Sequence, residues 1–102
     1  MVVKKKLFSY KFNDSIYITV NYIGGGATAP DYLKVTKKNI KADKSFTIKI
    51  LDGFTDDYLF SIFKLNDSTI NLRMIDTAYF KGKVLNYKID INQIDTTFNK
   101  YN

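Results

Sequence analysis

The chain has 102 residues, is 45% apolar and 16% aromatic, and carries a formal charge of +6 without a single histidine, cysteine, tryptophan or glutamate. That composition removes the commonest general base, the thiol nucleophile and the soft metal ligands together, and it excludes a disulfide framework or a cysteine-ligated zinc. The length is that of one domain able to bury a core, and no apolar run approaches the roughly 18 residues of a membrane-spanning helix.

The start, Met1-Val2-Val3-Lys4-Lys5-Lys6, has no apolar run of signal-peptide length behind it. A native Met1 implies a cytoplasmic protein; a removed leader implies a periplasmic or extracellular one. Fifteen lysines stand against the single Arg73, and Asn, Ile, Tyr, Phe and Asp are abundant. An A/T-rich coding source accounts for that bias as readily as function does.

Alternation of β-branched and aromatic residues recurs along the chain and predicts seven strands. The first covers 7–12, with Phe8, Tyr10 and Phe12 on one face. The second covers 16–23, with Ile16, Ile18, Val20 and Tyr22 on one face, and Asn13-Asp14-Ser15 between them has turn chemistry. Gly24-Gly25-Gly26-Ala27-Thr28-Ala29-Pro30 is the strongest break. A third strand is expected at 31–37. A fourth follows at 46–51, with Phe46, Ile48 and Ile50 on one face. After a turn through Asp52-Gly53 and Asp56-Asp57 come strands at 58–65, 69–75 and 84–91. Ile70, Leu72 and Met74 of the sixth point inward, as do Leu85, Tyr87, Ile89 and Ile91 of the seventh. The segment 76–83 is a loop containing Tyr79 and Phe80. In the polar tail, 92–102, Ile94 and Phe98 stand four apart, which suits one helical turn on the core or a loose end.

Lys11-Phe12-Asn13-Asp14-Ser15 resembles Lys64-Leu65-Asn66-Asp67-Ser68. Two hairpins with one turn solution explain this more simply than a duplicated half-domain.

The fold class is therefore all-β: one antiparallel β-sandwich or small barrel of about seven strands, spanning 1–102 with a basic segment at 1–6. The expected core is Ile18, Val20, Ile48, Ile50, Phe60, Ile62, Leu72, Met74, Leu85 and Ile89.

Few residues point to chemistry. Asp52, Asp56 and Asp57 share a turn, but their spacing matches no calcium loop and a solvated acidic turn explains them. The serines lack a histidine to activate them. The three glycines are followed neither by a Gly-Lys-Ser/Thr close nor by a helix, so they do not read as a phosphate loop. No catalytic residue, metal or cofactor is expected.

The stretch Val20-Asn21-Tyr22-Ile23-Gly24-Gly25-Gly26-Ala27-Thr28, a strand running into Gly-Gly-Ala-Thr, resembles small all-β domains of unknown function in exported or lipid-anchored bacterial proteins. An Asn-Asp-Ser/Thr turn before an alternating strand, as at 66–72, belongs to the same pattern. The resemblance covers roughly half of the chain, without the leader and lipid-attachment cysteine of such proteins. It implies an all-β fold and an exported setting, and transfers no catalytic residue.

The expected function is that of a non-catalytic protein-interaction domain, either a bacterial envelope ectodomain or a small inhibitor-type binding protein, with another protein as partner. The aromatic surplus supports this, since tyrosines are favoured at interfaces. The expected contact residues are Gly24, Gly25, Gly26 and Thr28 in one loop and Tyr79 and Phe80 in another. The two aromatics either plug the end of the sandwich or stand out as an anchor. The alternative is a nucleic-acid-binding module, with Lys34, Lys37, Lys38, Lys41 and Lys44 as a basic face.

Overall fold

A computed structural model describes residues 3–24 and 31–96. Among these the chain forms seven strands and no α-helix: β1 (Val3–Lys11), β2 (Ile16–Gly24), β3 (Tyr32–Asn39), β4 (Lys44–Asp52), β5 (Tyr58–Lys64), β6 (Thr69–Asp76) and β7 (Val84–Asp90). They build two antiparallel meanders, a four-stranded sheet ordered β1-β2-β3-β4 and a three-stranded sheet ordered β5-β6-β7. β1 lies beside β5 and β4 beside β7, but among the described residues the sheets share no ladder. The fold is thus a sandwich rather than a closed barrel. Its shortest dimension, 19 Å, suits two layers stacked about 10 Å apart with side chains outside.

The strands follow the alternation except in β1 and β4. β1 begins at Val3, so Lys4, Lys5 and Lys6 are strand residues rather than a separate basic segment. The register also slips by one residue between Lys6 and Phe8, leaving Leu7 as a bulge opposite the Asn21–Val20 step. A bulge reverses the faces of everything beyond it. Lys4 and Lys6 therefore share the outer face with Ser9 and Lys11, while Phe8 and Tyr10 join the core.

The second bulge changes an expectation. Ile48 of β4 is the extra residue opposite the Val35–Thr36 step. Ile48 and Leu51 enter the main core, whereas Ile50 pairs with Lys34 on the outer face and clusters with Ile23 and Tyr32. Ile50 is buried as expected, but not on the face of Ile48. The main core joins Ile18, Val20, Leu33 and Val35 of one sheet to Ile62, Ile70, Leu72 and Met74 of the other. Phe60 and Leu85 pack against it half-buried.

The two similar turns are the same device. Phe12 and Asn13 donate to the Ile16 carbonyl at 2.9 and 3.3 Å, as Leu65 and Asn66 do to that of Thr69 at 2.9 and 3.3 Å. The Asn13 and Asn66 side chains accept the N–H of Ser15 at 2.8 Å and of Ser68 at 2.9 Å. Yet the buried faces are opposite. Phe12 is buried and Leu65, at the matching position, is exposed; Tyr17 lies on an outer face and Ile70 is fully buried. A duplicated half would have kept its buried face, so the match is one of local turn chemistry.

Beyond β7 the chain crosses to the free edge of β4. Asp95 donates its N–H to the Thr47 carbonyl at 2.9 Å, and its carboxylate accepts the Ile50 N–H at 2.7 Å. Of the two options for the tail, a helical turn on the core or a loose end, Ile94 does not bear out the first, being 58% exposed; Phe98 lies outside the described residues.

Urea titrations check this assignment of load. Leu72→Ala is expected to cost about 2–5 kcal/mol, the range for emptying a packed site. Asp95→Ala should cost about 1–3 kcal/mol, the scale of a hydrogen bond to a charged group. Ile94→Ala should leave the midpoint in place; a large loss there means that the tail docks through Ile94.

Candidate interaction site

At one end of the sandwich β2, β4 and β6 finish and β3, β5 and β7 begin. An aromatic cluster packs against the core near this end. The Phe54 ring lies 5.6 Å from that of Tyr58 and 6.2 Å, nearly perpendicular, from that of Tyr87. Tyr58 in turn lies 6.4 Å from Phe60. Such tilted and edge-on pairs suit the ring quadrupole. Burial pushes both phenols above their ordinary pKa, that of Tyr58 with help from the Asp76 charge.

Tyr79 and Phe80 are not packed into the core. They are 85% and 69% exposed. The choice left open by the sequence falls on the exposed side.

The loop that carries them is held from below by Asp76. This buried side chain accepts backbone N–H groups from Ala78 at 2.8 Å, Tyr79 at 3.2 Å and Phe80 at 3.3 Å. Gly82 takes a positive φ of 86°, open to glycine without strain, and donates to the Asp76 carbonyl at 2.9 Å. Asp76 and Lys83 continue the hairpin with a 2.9 Å bond. The Thr77 N–H and hydroxyl both donate to the Asp57 carbonyl, at 3.1 and 3.0 Å, tying the loop to the start of β5. The Lys83 ammonium sits 5.4 Å over the Phe80 ring. The aromatics thus stand on an ordered frame.

The register adds an apolar row beside the loop. Leu59 pairs with Ile75, and Ile75 with Val84, so all three share the outer face of the small sheet. Leu59 and Val84 are exposed and Ile75 is half-buried. The sequence reading missed this row. Its signal was present in β5, whose segment Tyr58-Leu59-Phe60-Ser61-Ile62-Phe63 is apolar on both faces.

The glycine segment contributes less that can be described. Gly24 is buried at the end of β2, and a side chain there would meet the Tyr22 hydroxyl. Gly25, Gly26 and Thr28 lie outside the described residues.

The five lysines expected to form a basic face are divided. Lys34 and Lys38 lie on the outer face of the four-stranded sheet. Lys37 pairs with Ile18 on the opposite face, where its ammonium reaches Phe46 at 5.6 Å and the Asn92 side chain at 3.4 Å. Lys41 and Lys44 are exposed at the β3–β4 turn. The outer lysines gain Lys4, Lys6 and Lys11 as companions instead.

The acidic turn is engaged within the protein. Asp56 pairs with Lys5 at 3.4 Å across the β1–β5 seam, and the Asp57 carboxylate accepts the Thr55 hydroxyl at 3.1 Å. Among the described residues no group of three metal-ligating side chains comes together.

The Asp76 carboxyl has its pKa held below the ordinary value, first by the Ala78 N–H and further by Phe80, Tyr79 and the Lys83 charge, against burial. A depressed folded-state pKa adds stability that is complete above the unfolded value of about 3.9 and is lost as pH falls through the folded one. The melting temperature of the wild type should therefore fall more steeply below about pH 4 than that of Asp76→Asn, which has no such titration. Equal slopes for the two proteins mean that the frame does not depend on the charge.

Comparison of this chain with protein-family models, with curated proteins and with solved structures finds no match.

Proposed function

We propose that the protein is a non-catalytic interaction domain that grips a partner protein through the Tyr79–Phe80 loop. The carrying observation is two large aromatic side chains, 85% and 69% exposed, on a loop whose backbone is fixed by the Asp76 carboxylate. Rigid aromatics lose little entropy on binding and dominate interface hot spots. The neighbouring row of Leu59, Ile75 and Val84 supplies apolar area at the side of the anchor. Lys81 and Lys83, both exposed, favour a partner with an apolar cleft and an acidic rim.

The non-catalytic part of this reading rests on composition. The chain lacks histidine and cysteine, and Asp56, Asp57, Asp76 and Asp95 are engaged in turns, seams and the edge of β4. A small inhibitor-type protein and an envelope ectodomain both present rigid loops in this manner.

Affinity capture from the native host with wild-type and variant domains tests the proposal. Tyr79→Ser and Phe80→Ser should leave the melting temperature within a degree or two and weaken the captured partner by about thirtyfold or more, the hot-spot scale. Leu65→Ser, exposed at the opposite end, should bind as wild type. A fall in melting temperature with unchanged affinity assigns the loop a structural role and overturns the reading.

A further inference from the structure

A second surface lies away from that loop, on the outer face of the four-stranded sheet. Cross-strand partners share a face, so the register lays out this surface row by row. One row runs Ser9, Thr19, Thr36 and Thr47, a line of hydroxyls across all four strands. The row on one side places Lys6 and Lys34 about Asn21; the row on the other places Lys11 and Lys38 about Tyr17. Two strand spacings separate the lysines within a row, roughly 10 Å, and two double steps along the strands separate the rows, roughly 13 Å. Four lysine positions thus mark a rectangle with hydroxyls through its middle and Tyr17 on one side, Lys34 being half-buried. A groove of about 380 Å³ runs from this face towards the β3–β4 turn, lined by Lys6, Ser9, Tyr17, Thr19 and Lys38 and closed at the turn by the exposed Ile40. Asp43 lines its rim, and Lys11 shares an exposed 3.3 Å pair with Asp14.

We infer that this groove binds single-stranded nucleic acid, with Lys6 and Lys38 on phosphates, the hydroxyls on phosphate oxygens or base edges, and Tyr17 beneath an unpaired base. Charge complementarity selects a polyanion: among the described residues Lys6 and Lys38 line the groove against one carboxylate, Asp43. The tyrosine selects a single strand, because stacking needs a base freed from its pair. Lysine and hydroxyl contacts, without arginine forks, suit a backbone reader with little sequence preference. This surface is separate from the Tyr79–Phe80 loop, and the two proposals stand or fall independently.

Fluorescence anisotropy with a labelled oligothymidylate of about 15 nucleotides, titrated with the whole chain between about 50 and 200 mM salt, tests the inference. Affinity should fall linearly with salt on a log–log plot. Lys6→Gln with Lys38→Gln should weaken binding at least about tenfold and lower the slope by about 1.4, at roughly 0.7 per single-strand phosphate. Tyr17→Ser should weaken binding about tenfold with the slope unchanged, while Tyr17→Phe, which keeps the ring and the fold, should bind as wild type. Asp43→Asn should tighten binding, and Tyr79→Ser should not alter it. The inference is overturned by absence of binding at about 50 mM salt. It is equally overturned if a duplex or a sulfated glycan of equal charge binds as tightly and Tyr17→Ser has no effect.

Discussion

One extra residue in each outer strand of the four-stranded sheet decides which side chains meet the core. Strand side chains alternate with period two, so a one-residue slip exchanges the faces completely. Leu7 supplies the slip in β1 and Ile48 supplies it in β4. Without the first, Lys4 and Lys6 would share a face with Phe8 and Tyr10, and the core edge would carry two ammonium groups. With it, the lysines stand on the outer surface and the aromatics go in. Without the second, Leu51 would leave the core that it now shares with Leu33.

This constraint explains what could be read from the residues and what could not. Continuous alternation, as in Ile18–Val20 or Ile70–Leu72–Met74, needs no knowledge of partners, and those residues are buried as expected. A bulge is visible only against the opposite strand, so Ile50 was placed on the wrong side. The same holds for the basic face. Lysines close in sequence, at 34–44, scatter over two faces and a turn, whereas Lys6 and Lys38 come to share one face only through the β1-β2-β3 register. The Tyr79–Phe80 loop was located correctly, but its exposure depended on whether another group closed the sandwich. Phe54 and Tyr58, four residues apart, meet Tyr87 of β7 in the core-side cluster, and the loop aromatics stand outside it.

The two Asn-Asp-Ser turns separate local from global determination. Their hydrogen bonds agree nearly bond for bond, so five residues suffice to specify the reversal. They do not specify the buried face, which is opposite in the two hairpins. Turn chemistry fixes how the chain returns; the apolar pattern of the flanking strands fixes which side turns inward.

The bond between Asp95 and Ile50 has a consequence for the order in which the molecule becomes safe. The two residues lie 45 positions apart. The four-stranded sheet has all its strands once residue 52 is made, but the group that occupies the edge of β4 is synthesised later, by roughly 2–9 s at ~5–20 residues per second. During that interval β4 offers unpaired backbone groups, a template on which a neighbouring nascent chain can add a strand. A ribosome pausing between β7 and Asp95 lengthens the interval, and a protease nicking between Ile91 and Ile94 restores it in the finished protein. The late-made carboxylate acts as a latch on a surface that was complete before it.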